Sequence, residues 1–313
     1  MGAMAMAGAI RILLQTTIPE TDDDWDIRRF SLLTECLRSL KDENGAPLCE
    51  VTARNRAAAG GDDPVLSGLG ESDFDELWLF AVDVGDGLSA ADCAGINGFH
   101  RRGGGLMVTR DHMDLGCSVC SLGAVGAAHN FHTHNPEHDP ERQCIDDIYT
   151  TDISWPNYHS GRNGDYQKIV PVEPMHELLC RPDAPGDPIE YLPAHPHEGA
   201  VGIPEVDGID ARVVARGASL VSGRLFNLAV AIERTAHSGR AVAESTFHHF
   251  SDVNWDGRYP CPSFVCELPG DTMQTHPRAL EDTKAYVRNL ALWLAPEGVS
   301  CQSFQSLEER SAV

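Results

Sequence analysis

The chain has 313 residues, 42% of them hydrophobic and 23% charged, which is enough to bury a sizeable core without structural metal or disulfides. Its 47 acidic against 24 basic residues give a net charge of −23, which repels phosphate backbones and anionic lipid surfaces and sets nucleic acid aside as a partner. No apolar run approaches the roughly 18 residues of a membrane span, so membrane insertion is set aside as well. The acidity has two readings, a solvated surface that maintains solubility or an attraction for cations and cationic substrates.

Residues 1–9 are small and Met/Ala-rich and lack a basic region, so they read as a ragged start and not as a signal peptide. The ten cysteines are scattered through α/β patterning with no export signal ahead of them, which predicts reduced thiols and a cytoplasmic location. Residues 10–18 read as a first buried strand. An acidic turn at residues 22–24 then leads into a helix through Lys41, with Phe30, Leu33, Leu37 and Leu40 on one face. Residues 49–55 form a second strand and residues 76–83 a third.

Ser89 is placed to cap a helix running to Arg101, and Gly103, Gly104 and Gly105 lead into a short buried strand at 106–109. Strand, helix and strand in this order predict an α/β fold with a parallel sheet, helices on both faces and right-handed crossovers. The glycine run precedes its strand, whereas a phosphate loop must follow one, so no nucleotide cofactor is expected. From 130 to 210 the chain carries eleven of its nineteen prolines and seven of its fourteen histidines with little periodicity. This predicts a long Pro/His-rich insertion, forming a lid or pocket wall, within a single domain spanning 10–300. Strand patterning returns at 211–218, 226–232 and 240–247. A helix from Pro277 to Leu294 follows, and the tail after Pro296 reads as frayed.

The segment from Gly239 to Trp255 is a small-residue strand ending in His248 and His249, where an α/β sheet presents polar groups to a ligand. Together with the Gly103 to Val108 strand entry and Ser238-Gly239-Arg240-Ala241-Val242, it resembles the trehalose-utilisation (ThuA-like) branch of the class I glutamine amidotransferase-like superfamily. That resemblance implies a flavodoxin-like sheet. Amidotransferases of the superfamily place a cysteine nucleophile in the turn after the strand matched by 106–109, but here that turn reads Arg110-Asp111-His112-Met113. A glutaminase is therefore not expected, and the branch itself implies no single reaction.

Strand-end position makes Asp111, His112 and His248 the candidate catalytic groups, with Arg110, His249, Asp252 and Trp255 as substrate-binding residues. Arg110 would hold an anionic group, and Trp255 beside Asp252 and Asn254 has the composition of a sugar-binding surface. His195-Pro196-His197-Glu198-Gly199 offers two stiffly presented imidazoles and a carboxylate, and His195, His197 and Glu198 are the candidate ligands for zinc or a similar divalent metal. His132, His134 and His138 form a second His-rich loop. Cys117 and Cys120 have Cys-X-X-Cys spacing without the flanks of a redox or zinc motif, so structural thiols are the expectation.

The expected function is hydrolytic or other acid/base chemistry, with or without a metal, on a small polar molecule, sugar-like among the options. The alternative is a non-catalytic binding protein on the same scaffold. A small-molecule ligand is the expected partner, and a homo-oligomer is compatible with the sequence.

Overall fold

The computed structural model describes residues 8–42, 44–57, 61–140, 142–143, 145–147, 152–184 and 186–297. The segments 1–7 and 298–313, where a ragged start and a frayed tail were expected, lie outside the described residues.

Runs that are apolar on both faces build the centre of the sheet, as strands covered by helices on two sides require. β1 (Ile10–Thr16) pairs in parallel with β2 (Cys49–Asn55) on one side and β3 (Glu76–Phe80) on the other. β3 pairs in parallel with β4 (Gly105–Val108). The remaining strands are β5 (Val170–Pro171), β6 (Ala211–Ala218), β7 (Leu225–Ile232) and β8 (Ala241–Glu244), and β8 lies parallel to β4. The order across the eight strands is β2-β1-β3-β4-β8-β7-β6-β5. Its first five strands have the flavodoxin-like order, so the fold is α/β with a mostly parallel sheet.

The parallel pattern stops at β8. β7, β6 and β5 extend the sheet antiparallel; for β6 and β7 this follows because six residues join β6 to β7 and eight join β7 to β8, too few for a crossover that takes a dozen or more. Alternation along each strand sends side chains to two separate cores. Ile12, Leu14, Trp78, Phe80 and Met107 pack under α1 (Ser31–Ser39) and α3 (Pro277–Leu294), where Leu33, Leu37, Tyr286, Val287 and Leu290 are buried. Leu13, Leu77, Leu79, Leu106 and Val108 pack on the opposite face under α2 (Ala90–Arg101) through Cys93, Ile96 and Phe99. Each fully buried Leu or Phe contributes roughly 1.5–3 kcal/mol of transfer free energy.

α2 starts at a reciprocal capping box, with the Ser89 hydroxyl accepting from Asp92 N and the Asp92 carboxylate accepting from Ser89 N. Its end needs the glycine run: Gly103 has φ +102°, and a Cβ on Gly104 would lie 2.4 Å from the Phe99 ring. The described residues of 130–210 are packed onto the scaffold. Tyr158, Ile169, Leu179, Ile189 and Leu192 join the α1/α3 core, and short ribbons pair Tyr166–Lys168 with Tyr191–Pro193 and His129–Asn130 with Ala200–Val201. Among the described residues no helix is long and apolar enough to cross a membrane.

Candidate functional site

Beyond β4 the chain reaches Arg110, whose side chain is fully buried. Its guanidinium donates to the carbonyls of Asp111 (2.6 Å), Met113 (2.6 Å), Ala200 (3.2 Å) and Asn130, and lies 3.9 Å from the centre of the Phe131 ring. Burial pushes its pKa down to about 9, and the neighbouring acids pull only part of the way back. Arg110 thus folds the 110–113 turn and ties it to both ends of the insertion, in place of the expected anion-binding role. Met113 takes up a left-handed conformation at φ 49°, and the Asp111 carboxylate is left facing a cavity.

Beyond β8 the chain breaks earlier than the sequence suggests, after Glu244. Thr246 accepts from His248 N (3.1 Å) and starts a 3-10 turn at Phe247–His249, so the two histidines are no longer on a strand. His248 reaches the cavity and its Nδ1 donates to Asn254 Oδ1 at 2.9 Å. The amide orientation of Asn254 is fixed by its other contacts. Nδ2 donates to Ala194 O (2.7 Å) and Asn163 Oδ1 (3.0 Å), while Oδ1 also accepts from Ser251 Oγ (2.6 Å). A flipped amide would set oxygen against oxygen, so His248 Nδ1 carries the proton and Nε2 keeps a lone pair.

The third strand end belongs to the insertion. After the Tyr191–Pro193 ribbon, His195 N donates to Ser160 Oγ at 2.9 Å, and the His195 ring stacks on His248 with centroids 3.5 Å apart. His195 Nδ1 is 3.9 Å from Asp111 Oδ1. Among the described residues, Asp111, His195 and His248 are the only group of three or more His, Cys, Asp or Glu side chains whose ligand atoms all lie within 4.8 Å of one another.

Electrostatics favours a ligating state in all three. Burial pushes the Asp111 carboxyl up, but the charge of His112, its hydrogen bonds and His248 outweigh this and hold it below its ordinary value. Burial lowers His248 to about 4, against the pull of Asp111 and Asn254. Burial, then His248 and His197, hold His195 well below an ordinary histidine. At neutral pH the group is one carboxylate and two neutral imidazoles, the forms that bind a cation.

Around it lies a cavity of about 570 Å3 formed by segments beyond β1 (Trp25), β3 (Val82, Val84), β4 (His112, Leu115) and β8 (Phe247), by 195–197 of the insertion and by 264–267. His112 Nδ1 is 3.1 Å from Asp111 Oδ1. His197 faces the same cavity but is engaged on both sides, with Nδ1 at 2.7 Å from Asp147 Oδ2 and 3.1 Å from Asn157 Oδ1, and Nε2 at 3.2 Å from Glu267 Oε1. Asp111, His112, His195, His197 and His248 therefore converge. Asn157, Asn163, Asp147 and Glu267 were not legible beforehand, since each comes singly from its loop with no motif around it.

The other expected site residues lie elsewhere. Glu198 is fully buried and accepts from Ser160 Oγ (2.9 Å), Gln167 Nε2 (2.6 Å) and Ser245 Oγ (2.8 Å), so it does not complete a shell with His195 and His197. His249 points into the core, 3.0 Å from Glu244 and 3.5 Å from Glu198. Burial lowers its pKa, but the two carboxylates prevail and raise it to about 10. Asp252 accepts from Ser31 N and Oγ and from Leu32 N at the start of α1, and Trp255 is buried with Nε1 donating to His249 O. The sugar-binding composition of that loop is thus a helix cap beside a core indole. His132, His134 and His138 are exposed. Cys117 is buried against Gly85, and burial raises its thiol pKa.

No family model matches the chain, and no curated protein matches it. Solved structures do. The chain is similar to a ThuA-like protein of Parabacteroides merdae at 14% identity and a TM-score of 0.46, over 76% of this chain and 79% of that one. A ThuA-like protein of Bacteroides uniformis matches at 10% identity and a TM-score of 0.45, over 94% of each chain. The glutaminase domain of Trypanosoma brucei CTPS matches at 14% identity and a TM-score of 0.37, over 90% of this chain and 94% of that one. The chemistry of the site rests on its own geometry.

Proposed function

We propose that this protein is a hydrolytic enzyme in which Asp111, His195 and His248 hold a divalent metal, zinc or a similar cation, at the floor of a cavity that admits a small molecule. The observation that carries the reading is the approach of three ligand atoms to within 4.8 Å of one another at the cavity. Two histidines and one carboxylate, with a side left open to a pocket, are a donor set of catalytic zinc sites. Bound there, the cation would acidify a coordinated water and polarise a carbonyl.

The chain's own residues supply the rest. Asn254 fixes the tautomer of His248, and His112 orients Asp111 through its hydrogen bonds. His197, held between Asp147 and Glu267, stands beside the cluster as a fixed part of the cavity wall. The 110–113 turn holds no thiol, so glutaminase chemistry is not part of the reading, and the acidic chain, whose eight described cysteines are free thiols, is taken to work in the cytoplasm. The test is hydrolysis of simple aryl esters and anilides by chelated protein before and after zinc is restored. Zinc-dependent turnover that falls on the order of 100-fold or more in Asp111→Asn is expected. Turnover indifferent to chelation and to that substitution would overturn the reading.

A further inference from the structure

We propose that the cavity selects an uncharged or cationic substrate with an apolar body, which packs beside Trp25, Phe247 and Phe264 while its reacting group faces Asp111, His195 and His248. The inference rests on taking that cluster as the reacting centre. It replaces the sugar-like ligand considered from the sequence.

The first argument is the wall. Trp25 meets the His248 ring edge-on at 4.6 Å between centroids, and Phe247 stacks on the same ring at 4.2 Å, so apolar surface begins directly against the cluster. It continues to the mouth, where Phe264 is 57% and Val84 76% exposed. Exposed apolar groups at the rim of a buried polar cluster suit a ligand that is apolar at one end and polar at the other.

The second argument is charge. Three carboxylates, Asp24, Asp111 and Glu267, line the cavity, and no lysine or arginine does so among the described residues. Arg110 is turned away and committed to backbone carbonyls, and Arg29 donates to Asp24 O and Pro260 O. In the metal-free cavity an anionic molecule would therefore shed its hydration without meeting a lysine or arginine, and with a cation held by the cluster the same would hold for any anionic group placed away from it, in a chain of net charge −23.

The third argument is hydrogen-bonding capacity. Both ring nitrogens of His197 are engaged, and Asn163 Oδ1 already accepts from Asn254. A sugar's hydroxyls facing Trp25, Val84, Phe247 and Phe264 would find no partner on that side of the cavity, and each unpaired hydroxyl weakens binding. A molecule with one polar reacting group loses nothing in this way.

The test is calorimetric binding of benzamide, benzamidine, benzoate and glucose to the full chain in chelator. Benzamide and benzamidine should bind at least about tenfold more tightly than benzoate, a ratio of the size that one unpaired buried charge produces, and glucose should not bind. In Phe264→Lys, an exposed position that leaves the core intact, benzoate should gain affinity and benzamidine lose it. Benzoate binding as tightly as benzamide, glucose binding in preference to benzamide, or no binding by any of the four would overturn the inference. Because these titrations contain no metal, they are independent of zinc binding, so failure of the metal reading and failure of this one show up in different experiments.

Discussion

Asn254 joins the two histidines of the cluster, accepting from His248 Nδ1 and donating to the carbonyl of Ala194, the residue before His195. Outer partners of this kind set ligand orientation and typically account for 10–100-fold in metal affinity. Asn254→Ala is expected to weaken zinc binding by about that factor in a calorimetric titration. An unchanged affinity would show that His248 is held by packing alone. The adjacent pair, His248 and His249, shows why residue roles were only half legible: sequence proximity put both at a strand end, but only the backbone turn after Thr246 sends one to the cavity and the other to Glu244 and Glu198. Removing Glu198 leaves the buried donors Gln167 Nε2 and Ser245 Oγ without this acceptor, while His249 keeps Glu244. Glu198→Ala should therefore cost about 1–3 kcal/mol in urea unfolding, whereas a residue serving only as a metal ligand would leave stability of the chelated protein almost unchanged.

At the scale of elements, the contrast is between local and remote caps. Ser89 and Asp92 lie three residues apart, so the start of α2 was legible from its capping box. α1 has no side-chain cap from its own N-terminal segment and takes Asp252, 221 residues away from Ser31, which no local pattern can announce. Asp252→Ala should cost about 1 kcal/mol through loss of that cap and leave zinc binding intact; a lost zinc site would restore Asp252 to the active centre. A second cap carries a pH dependence. His176 Nδ1 accepts from Leu178 N at the 3-10 turn Glu177–Leu179, and burial pushes its pKa from 6.5 down to about 4. The depressed folded value means that its contribution is complete above pH 6.5 and is lost as the pH falls through 4. His176→Asn, which keeps a capping oxygen, should flatten the fall of Tm across that window. The same slope in both proteins would contradict the assignment.

At the scale of the whole molecule, the parallel half of the sheet was legible because strands buried on both faces leave continuous apolar runs, and α3 because its apolar face repeats with helical spacing. The direction of β6 and β7 follows from short gaps present in the sequence, since the strands expected at 211–218, 226–232 and 240–247 lie too close for crossovers, whereas the edge strand β5 is only two residues long and leaves no run to read. The cluster itself joins residues from three distant parts of the chain. Two of its members stood out as strand-end groups, but their union with His195, in place of the neighbouring His197 and Glu198, depends on how the insertion folds back over the sheet.

The most direct measurement is a zinc titration of chelated, full-length protein and of the His195→Ala/His248→Ala double variant, each first shown to be folded by circular dichroism. One zinc per chain in the parent protein and none in the variant is the expected result. Absence of zinc binding in the folded parent, or an undiminished site in the variant, would contradict the assignment of Asp111, His195 and His248 as a metal centre.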